Sequence, residues 1–293
     1  MILVTGASGR IGSRVAKYLV SQQQPLRLMS RTPDNLPDYE GVEKVFGDFE
    51  DQESLETAFD GIYTALIISG QALPGNRCVG HKYAFDAAKA ANVGHVVYLS
   101  LLGATPESEF PYCRDHYQSE KFLAASGVPH TVLRPSFYLD HFLEKFDANG
   151  VIRGPGGTGN GAFVSREDVA RAAAAAVLAK PGGVLEITGP ELLSIDDVAR
   201  RIGYLVGKDL KYVNEFLTET QNRLNAADVS KGKQNLEIGW FQAISKGEQS
   251  KLTDDFSKLT KAEPQTLEEY FGENLELLNK LRAPSVSDAD PTR

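Results

Sequence analysis

Short apolar and β-branched runs recur along the first two thirds of this chain, at residues 1–5, 26–30, 43–46, 63–68, 95–100, 130–133 and 183–188. Between them lie stretches with the spacing of amphipathic helices, for example 77–91 before the fifth run and 166–178 before the seventh. Strands that alternate with helices imply parallel βαβ units. The pattern therefore predicts an α/β fold, a doubly wound parallel sheet with helices on both faces.

After about residue 188 the alternation stops. Segments 194–206, 214–227, 236–245 and 267–281 read as helices, with one short strand at 211–213, which predicts a smaller, mainly helical C-terminal lobe. The Gly/Pro-rich stretch 150–161 is expected to cross between the lobes. Ligands of open α/β sheets bind at the carboxyl ends of the strands, so a substrate cleft is expected there. The expected division is 1–135 as a dinucleotide-binding domain to which 162–188 returns, and 136–161 with 189–282 as the small lobe. The final segment 283–293, APSVSDADPTR, lacks apolar periodicity and is expected to be a disordered tail.

The sharpest local signal opens the chain. MILVTGASGRIG runs an apolar strand into Gly6, Gly9 and Gly12, and residues 13–20 continue as a helix. In such a turn the first glycine makes a tight bend, the second admits a pyrophosphate close to the backbone, and the third packs helix on sheet. Free N–H groups at the helix start then face the phosphates. A strand before and a helix after are the context this motif requires. Ser8, Arg10 and Ile11 belong to the same turn, and Arg10 is a candidate phosphate contact. A Rossmann-type sheet is the expected architecture.

Composition narrows the remaining classes. With 293 residues the chain is long enough for a substantial core, and 31 basic against 39 acidic residues give a net charge of −8. That balance argues against a nucleic-acid surface. Cys78 and Cys113 are the only cysteines and lie in no paired metal spacing, so neither a disulfide framework nor a metal site is expected. No basic-then-apolar leader or membrane-length apolar run is evident, and a cytoplasmic location is expected, with no membrane partner.

In dinucleotide folds the end of the second strand decides the cofactor, because a carboxylate there accepts hydrogen bonds from the ribose 2′-OH and repels a 2′-phosphate. Here the strand ends in Met29-Ser30-Arg31-Thr32, without an acid. Ser30 and Arg31 are candidates to hold the phosphate, Arg31 through a charge-assisted fork, and NADPH is expected to bind better than NADH. The competing reading makes Arg31 a solvated loop residue. After the third strand Asp48 is a candidate partner for the adenine amino group with Phe49 beside the ring; a helix-capping aspartate is the alternative. Ile68 and Ser69, at the end of the fourth strand, are expected on the adenosine and ribose side.

The segments TGASGRIG, GDFED, HYQSEKFLAASGVPHTVLRPSFYLD, FVSREDVARAAAAAV and EITGPELLSIDDVA resemble the NmrA-like atypical branch of the short-chain dehydrogenase/reductases, over roughly residues 1–280. Within that branch the likeness is to reductases of quinones and triphenylmethane dyes, and it includes the late segment 244–248. The resemblance implies NADPH binding and, in enzymatic members, reduction of quinones or dyes. Other members of the branch bind the dinucleotide and act as redox-responsive regulators.

Short-chain dehydrogenases place Tyr-x-x-x-Lys on the helix after the fifth strand, where the lysine lowers the phenol pKa. Tyr117 and Lys121 match that string, but related extended members carry a glutamate four residues after the lysine and a Ser-Gly at the helix end. Anchoring on Glu120 and Ser126-Gly127 puts Tyr112 at the tyrosine position and His116 at the lysine position, so Tyr117 and Lys121 are expected to point elsewhere. His116 is then a candidate to touch the nicotinamide ribose or to supply a proton from an ordinary pKa near ~6.5. Tyr112 is a candidate proton donor, with a packed aromatic or a satisfied structural histidine as the respective alternatives.

Ser100 ends the fifth strand as a candidate ligand contact or a plain strand-end cap, and Arg134 and Pro135 are expected to flank the nicotinamide. Phe137, Tyr138 and His141, with Phe142, form a candidate aromatic wall for a flat acceptor, or simply core. Arg166-Glu167-Asp168 reads as a helix start whose acids complement the helix dipole. Together these features predict an NADPH-dependent reductase of quinones or similar planar electrophiles, with a homodimer allowed. The alternative is a dinucleotide-sensing regulator that acts through a protein partner.

Overall fold

The computed structural model describes residues 1–70 and 72–282, so the expectation for the tail at 283–293 lies outside the described residues. The chain divides into two compact units. Among the described residues, the first comprises Met1–Pro135, Arg166–Ile187 and Thr253–Glu263; the second comprises Ser136–Ser165, Thr188–Leu252 and 264–282.

The elements of the first 135 residues are β1 (Ile2–Val4), α1 (Gly12–Ser21), β2 (Leu26–Ser30), β3 (Glu43–Phe46), α2 (Gln52–Phe59), β4 (Thr64–Ile68), α3 (Arg77–Ala90), β5 (His95–Leu99), α4 (Pro111–Ser126) and β6 (His130–Pro135). There follow β7 (Val151–Gly154), β8 (Asn160–Gly161), α5 (Arg166–Ala179), β9 (Gly183–Ile187), β10 (Leu193–Ser194), α6 (Ile195–Val206) and β11 (Lys211–Asn214). The chain closes with α7 (Leu217–Ala226), α8 (Lys231–Ser245), α9 (Asp255–Thr260), α10 (Leu267–Glu273) and α11 (Asn279–Arg282).

Seven strands of the first unit form one parallel sheet in the order β3-β2-β1-β4-β5-β6-β9. Every residue of β4 and β5 is buried, as strands covered by helices on both faces must be, and this is why they read as unbroken apolar runs. Leu3, Phe59, Ile67, Phe85 and Tyr98 belong to one core cluster against the sheet. The order reverses between β1 and β4, and that reversal is the switch point at which such sheets bind ligands. α4 begins with Pro111, whose missing N–H costs nothing in a first turn, and stops at Gly127, whose φ of +77° is left-handed.

Several expected boundaries are corrected. The stretch 150–161 holds β7, which pairs in parallel with β11, and β8, which pairs antiparallel with β10; glycine content masked both strands. Segment 267–281 is not one helix, because α10 ends at Glu273 and a 3-10 turn, Leu275–Leu278, precedes α11. α8 starts at Lys231 rather than 236. Finally, Thr253–Glu263 with α9 packs in the first unit, although the sequence reading placed it in the small lobe. There Thr253 Oγ1 donates to the Glu186 carbonyl and the Glu186 amide donates to Asp255 at 2.8 Å, so this short segment closes over β9.

Candidate cofactor and catalytic site

The turn after β1 is shaped by absent side chains. Gly6 sits at φ +59°, a left-handed conformation that favours glycine. A β-carbon on Gly12 would lie 2.3 Å from the Gly6 carbonyl oxygen and 2.9 Å from the Ala7 α-carbon, so only glycine lets α1 start this close to the strand. On exposed Gly9 the nearest atom to an added β-carbon is the Gly6 oxygen at 3.1 Å. Three backbone bonds fix the loop: Ala7 N to Met29 O at 3.1 Å, Gly9 N to Gly6 O at 2.9 Å, and Ser13 N to Gly9 O at 3.0 Å. Behind it, Thr5 Oγ1 accepts from the Ile68 amide at 2.9 Å, which places Ile68 against Gly6. The start of α1 carries its partial positive charge, so Ser8, Gly9, Arg10 and Ile11 form a cradle whose bare backbone fits a pyrophosphate. Arg14 buttresses it, donating to the Arg10 carbonyl at 2.5 Å and to Glu167 of α5 at 3.1 Å. Glu167 therefore ties α5 to α1 as well as opening its own helix.

At the end of β2, buried Ser30 donates to Ser8 Oγ at 3.1 Å and accepts from the Thr32 amide at 3.1 Å. Arg31 is exposed and makes no ion pair among the described residues. Asp48 does not cap α2: Asp51 does, accepting from Ser54 N at 3.2 Å, while Asp48 Oδ1 accepts from Glu50 N at 3.1 Å. Half-buried Phe49 packs edge-on to His81, 5.9 Å between ring centres, and the bare backbone of Gly80 accommodates it. Ser69 is half-buried with its hydroxyl enclosed.

On α4, Tyr112, His116 and Glu120 recur every four residues and form one stripe. Lys121 is exposed with its ammonium 5.3 Å from the Tyr117 ring centre, so the Tyr-x-x-x-Lys string pairs with itself on another face of the helix. Tyr112 is half-buried between the Arg77 guanidinium, 3.8 Å over its ring, and Phe110. Two cofactor candidates prove to be tied up. Glu120 accepts from Ser100 Oγ at 2.5 Å and from Arg134 at 2.9 and 2.5 Å, a bidentate pair that raises the Arg134 pKa. Ser100 and Arg134 thus fasten β5 and β6 to α4. Pro135, also buried, accepts from Leu102 N at 2.8 Å.

His116 is 4% exposed, and its Nδ1 lies 2.7 Å from the hydroxyl of Tyr98, a residue buried in the middle of β5. The same hydroxyl lies 3.1 Å from His81 Nδ1 on α3, which in turn is 2.8 Å from Ser119 Oγ. Burial, reinforced by His81 and Arg77, holds the His116 imidazole well below its ordinary pKa, and burial with Arg77 pushes His81 down to about 3. Burial thus disfavours the imidazolium that a near-neutral proton donor at His116 would pass through. Tyr98 and His81 were missed because a single polar residue inside an apolar run or helix carries no local signature of its partners. The one available signal was Tyr98 itself, a hydroxyl that must find a partner inside a buried strand.

This burial makes stability pH-dependent. Both histidines have folded pKa values below the unfolded ~6.5, so below that pH the unfolded chain binds more protons and stability falls. Two such groups contribute up to about 2.7 kcal/mol per pH unit. Asp115, whose pKa burial raises, acts in the opposite sense nearer pH 4. Urea unfolding between pH 7 and 5 should show a clear decline in stability; a flat profile would contradict neutral burial of both rings.

The aromatic candidates lie in the second unit. Phe137, 4% exposed, stacks on Trp240 of α8 at 5.6 Å, and fully buried Phe142 meets it edge-on at 5.1 Å. These two are core, a correction to an open aromatic wall. Half-buried His141 lies edge-on to Trp240 at 5.5 Å, and half-buried Tyr138 bridges to Val164. Trp240, the only tryptophan, was not singled out from sequence although it organises this cluster.

Among the described residues no helix is long and apolar enough to cross a membrane. The NAD(P)H-binding family matches residues 6–180. Quinone oxidoreductase 2 of Escherichia coli strain K12 is 29% identical over 270 residues, covering 89% of this chain and 93% of that protein. The crystal structure of an NADPH-dependent quinone oxidoreductase from Escherichia coli complexed with NADPH superposes with a TM-score of 0.84 at 28% identity, covering 94% of this chain and all of the other. Triphenylmethane reductase of Citrobacter sp., complexed with NADP(H), gives 0.80 at 28% identity over 92% of this chain and 99% of that one. A glycine cradle at the switch point of a doubly wound sheet and a match that begins at Gly6 agree: this chain belongs to the NAD(P)H-binding family, as an NAD(P)H-dependent oxidoreductase.

Proposed function

We propose that the protein reduces quinones or similar planar electrophilic acceptors with NADPH. The observation that carries the cofactor choice is the end of β2, where Ser8, Ser30 and Thr32 cluster their hydroxyls beside exposed Arg31 and no carboxylate intervenes. Hydroxyl donors and a guanidinium suit a 2′-phosphate, which an acid would repel. The glycine cradle would hold the pyrophosphate, and Ile68 and Ser69 would border the adenosine. When bound, the dinucleotide supplies the hydride, and that chemistry is its own.

The chain contributes orientation and exclusion of water rather than a strong acid. An electrophilic acceptor needs none, since the oxyanion left by hydride addition takes its proton from solvent. His116, neutral and anchored through Nδ1, offers a hydrogen bond at Nε2. Tyr112 is a second donor whose ring Arg77 holds in place. Tyr138 and His141 remain half-buried candidates for acceptor contact.

Purified protein should oxidise NADPH when small benzoquinones or naphthoquinones are added, and NADH more slowly. Arg31→Ala should raise the KM for NADPH roughly tenfold, the scale of one charge-assisted bond, and leave that for NADH nearly unchanged. Saturable NADPH binding without oxidation under any acceptor would replace this reading with that of a dinucleotide sensor.

A further inference from the structure

The buried cluster of His81, Tyr98, Ser119 and His116 admits a full accounting of its hydrogens. Ser119 Oγ donates to the Asp115 carbonyl at 2.8 Å, so its single hydrogen is committed. The 2.8 Å contact between Ser119 Oγ and His81 Nδ1 then requires a hydrogen on His81 Nδ1. That hydrogen also faces the Tyr98 hydroxyl at 3.1 Å, so Tyr98 cannot donate to His81. The Ser119 and Ser69 hydroxyls also act on the phenol, but the acceptor in hydrogen-bond geometry that remains for the Tyr98 hydrogen is His116 Nδ1, at 2.7 Å the shortest contact of the set.

We propose that Tyr98 is a positioning residue that fixes His116 as the Nε2–H tautomer, which makes Nε2 a permanent hydrogen-bond donor for the acceptor or cofactor of the proposed reaction. The role in turnover rests on the proposed reductase activity; the tautomer does not. The reverse polarity, with His116 donating from Nδ1, would give up the 2.7 Å acceptor and leave the buried Tyr98 hydrogen only the Ser119 and Ser69 hydroxyls, neither in hydrogen-bond geometry with it, where a poorly met donor is costly. It would also present a bare Nε2 lone pair to a developing oxyanion, which repels it, whereas Nε2–H stabilises it.

The surroundings keep the assignment from being undone by protonation. Arg77 at the start of α3 acts on both rings, and the other charged groups around them, Asp115 and Glu120 on α4, are committed to the Gly75 amide and to Arg134 with Ser100. Neither carboxylate forms an ion pair with either imidazole. The tautomer is thus set by one phenol in the sheet, one residue before the end of β5 and two before Ser100.

The test is a long-range proton–nitrogen correlation spectrum of the cofactor-free protein labelled at histidine nitrogen, near pH 7.5. His116 should show the Nε2–H pattern and His81 the Nδ1–H pattern, with assignments from His116→Gln and His81→Gln. In Tyr98→Phe, His116 should lose its single tautomer while His81 keeps Nδ1–H through Ser119. Enzyme carrying Tyr98→Phe should lose about tenfold in kcat, the scale of one hydrogen bond, with KM for NADPH little changed. An Nδ1–H pattern for His116 in the unaltered protein overturns the proposal and needs no variant to fold. The expected spectrum without any turnover would instead refute the reductase reading and leave the tautomer standing.

Discussion

Gly12→Ala should abolish useful NADPH binding and also destabilise the protein, whereas Gly9→Ala should weaken binding with little effect on stability. The two glycines differ in what a methyl group would meet. At position 12 it would collide with backbone, 2.3 Å from the Gly6 carbonyl oxygen, and backbone at a strand end held by the Ile68 amide cannot give way cheaply. Forcing such overpacking costs about 1–3 kcal/mol, and the helix start that presents the phosphate donors must move with it. At position 9 the nearest atom is 3.1 Å away and the residue is exposed, so the folded chain adjusts, but the added methyl stands where a phosphate has to approach. Titration with NADPH should give a Kd raised at least about a hundredfold for Gly12→Ala, equivalent to roughly 2.7 kcal/mol. Thermal unfolding should separate the variants, since only Gly12→Ala is expected to lower the Tm. Equal loss of stability in both would show that the turn is not shaped by the close approach of α1.

The second large effect is at Glu120. Its carboxylate joins α4 to Ser100 after β5 and to Arg134 in β6, and Arg134 reaches Glu186 of β9 at 4.0 Å. Removing one partner of a buried pair costs about 3–5 kcal/mol because the other charge is stranded. Here the Arg134 side chain is 23% exposed, so Glu120→Ala should cost roughly 2–4 kcal/mol, a fall in Tm of about 5–10 °C. Glu120→Leu combined with Arg134→Met should recover much of that loss, since the closely paired charges go together and only Glu186, 4.0 Å from Arg134, loses a cation. A double variant no more stable than Glu120→Ala would mean that the network contributes specific geometry that packing cannot replace.

The sheet was readable because its central strands β4 and β5 are wholly buried and almost continuously apolar, while β2 and the half-exposed edge strand β3 are bounded by turn residues. The glycine turn was readable because backbone conformation and close packing dictate residue type locally. The register of α4 was anchored on Glu120, and the anchor is a real structural tie, although its partners Ser100 and Arg134 lie on two other strands. What sequence could not convey were contacts between distant elements. Tyr98 with His116 and His81 joins β5, α4 and α3, and Phe137 with Trp240 joins residues about a hundred positions apart. Expecting an ordinary imidazole pKa at His116 ignored burial, which periodicity alone does not give for a polar residue. The small strands β7 and β8 escaped notice because each is at most four residues long and lies among glycines, too short for alternation to be read.

The central claim is transfer of hydride from NADPH to a planar electrophile on this chain. NADPH deuterated separately at each of its two C4 positions, mixed with a naphthoquinone and followed by mass analysis of the oxidised cofactor, tests it most directly. Oxidation should run well above the protein-free blank, with deuterium lost from one of the two positions only, as a fixed orientation of the ring requires. Bound NADPH that is not oxidised faster than the blank, or label lost equally from both positions, would contradict it.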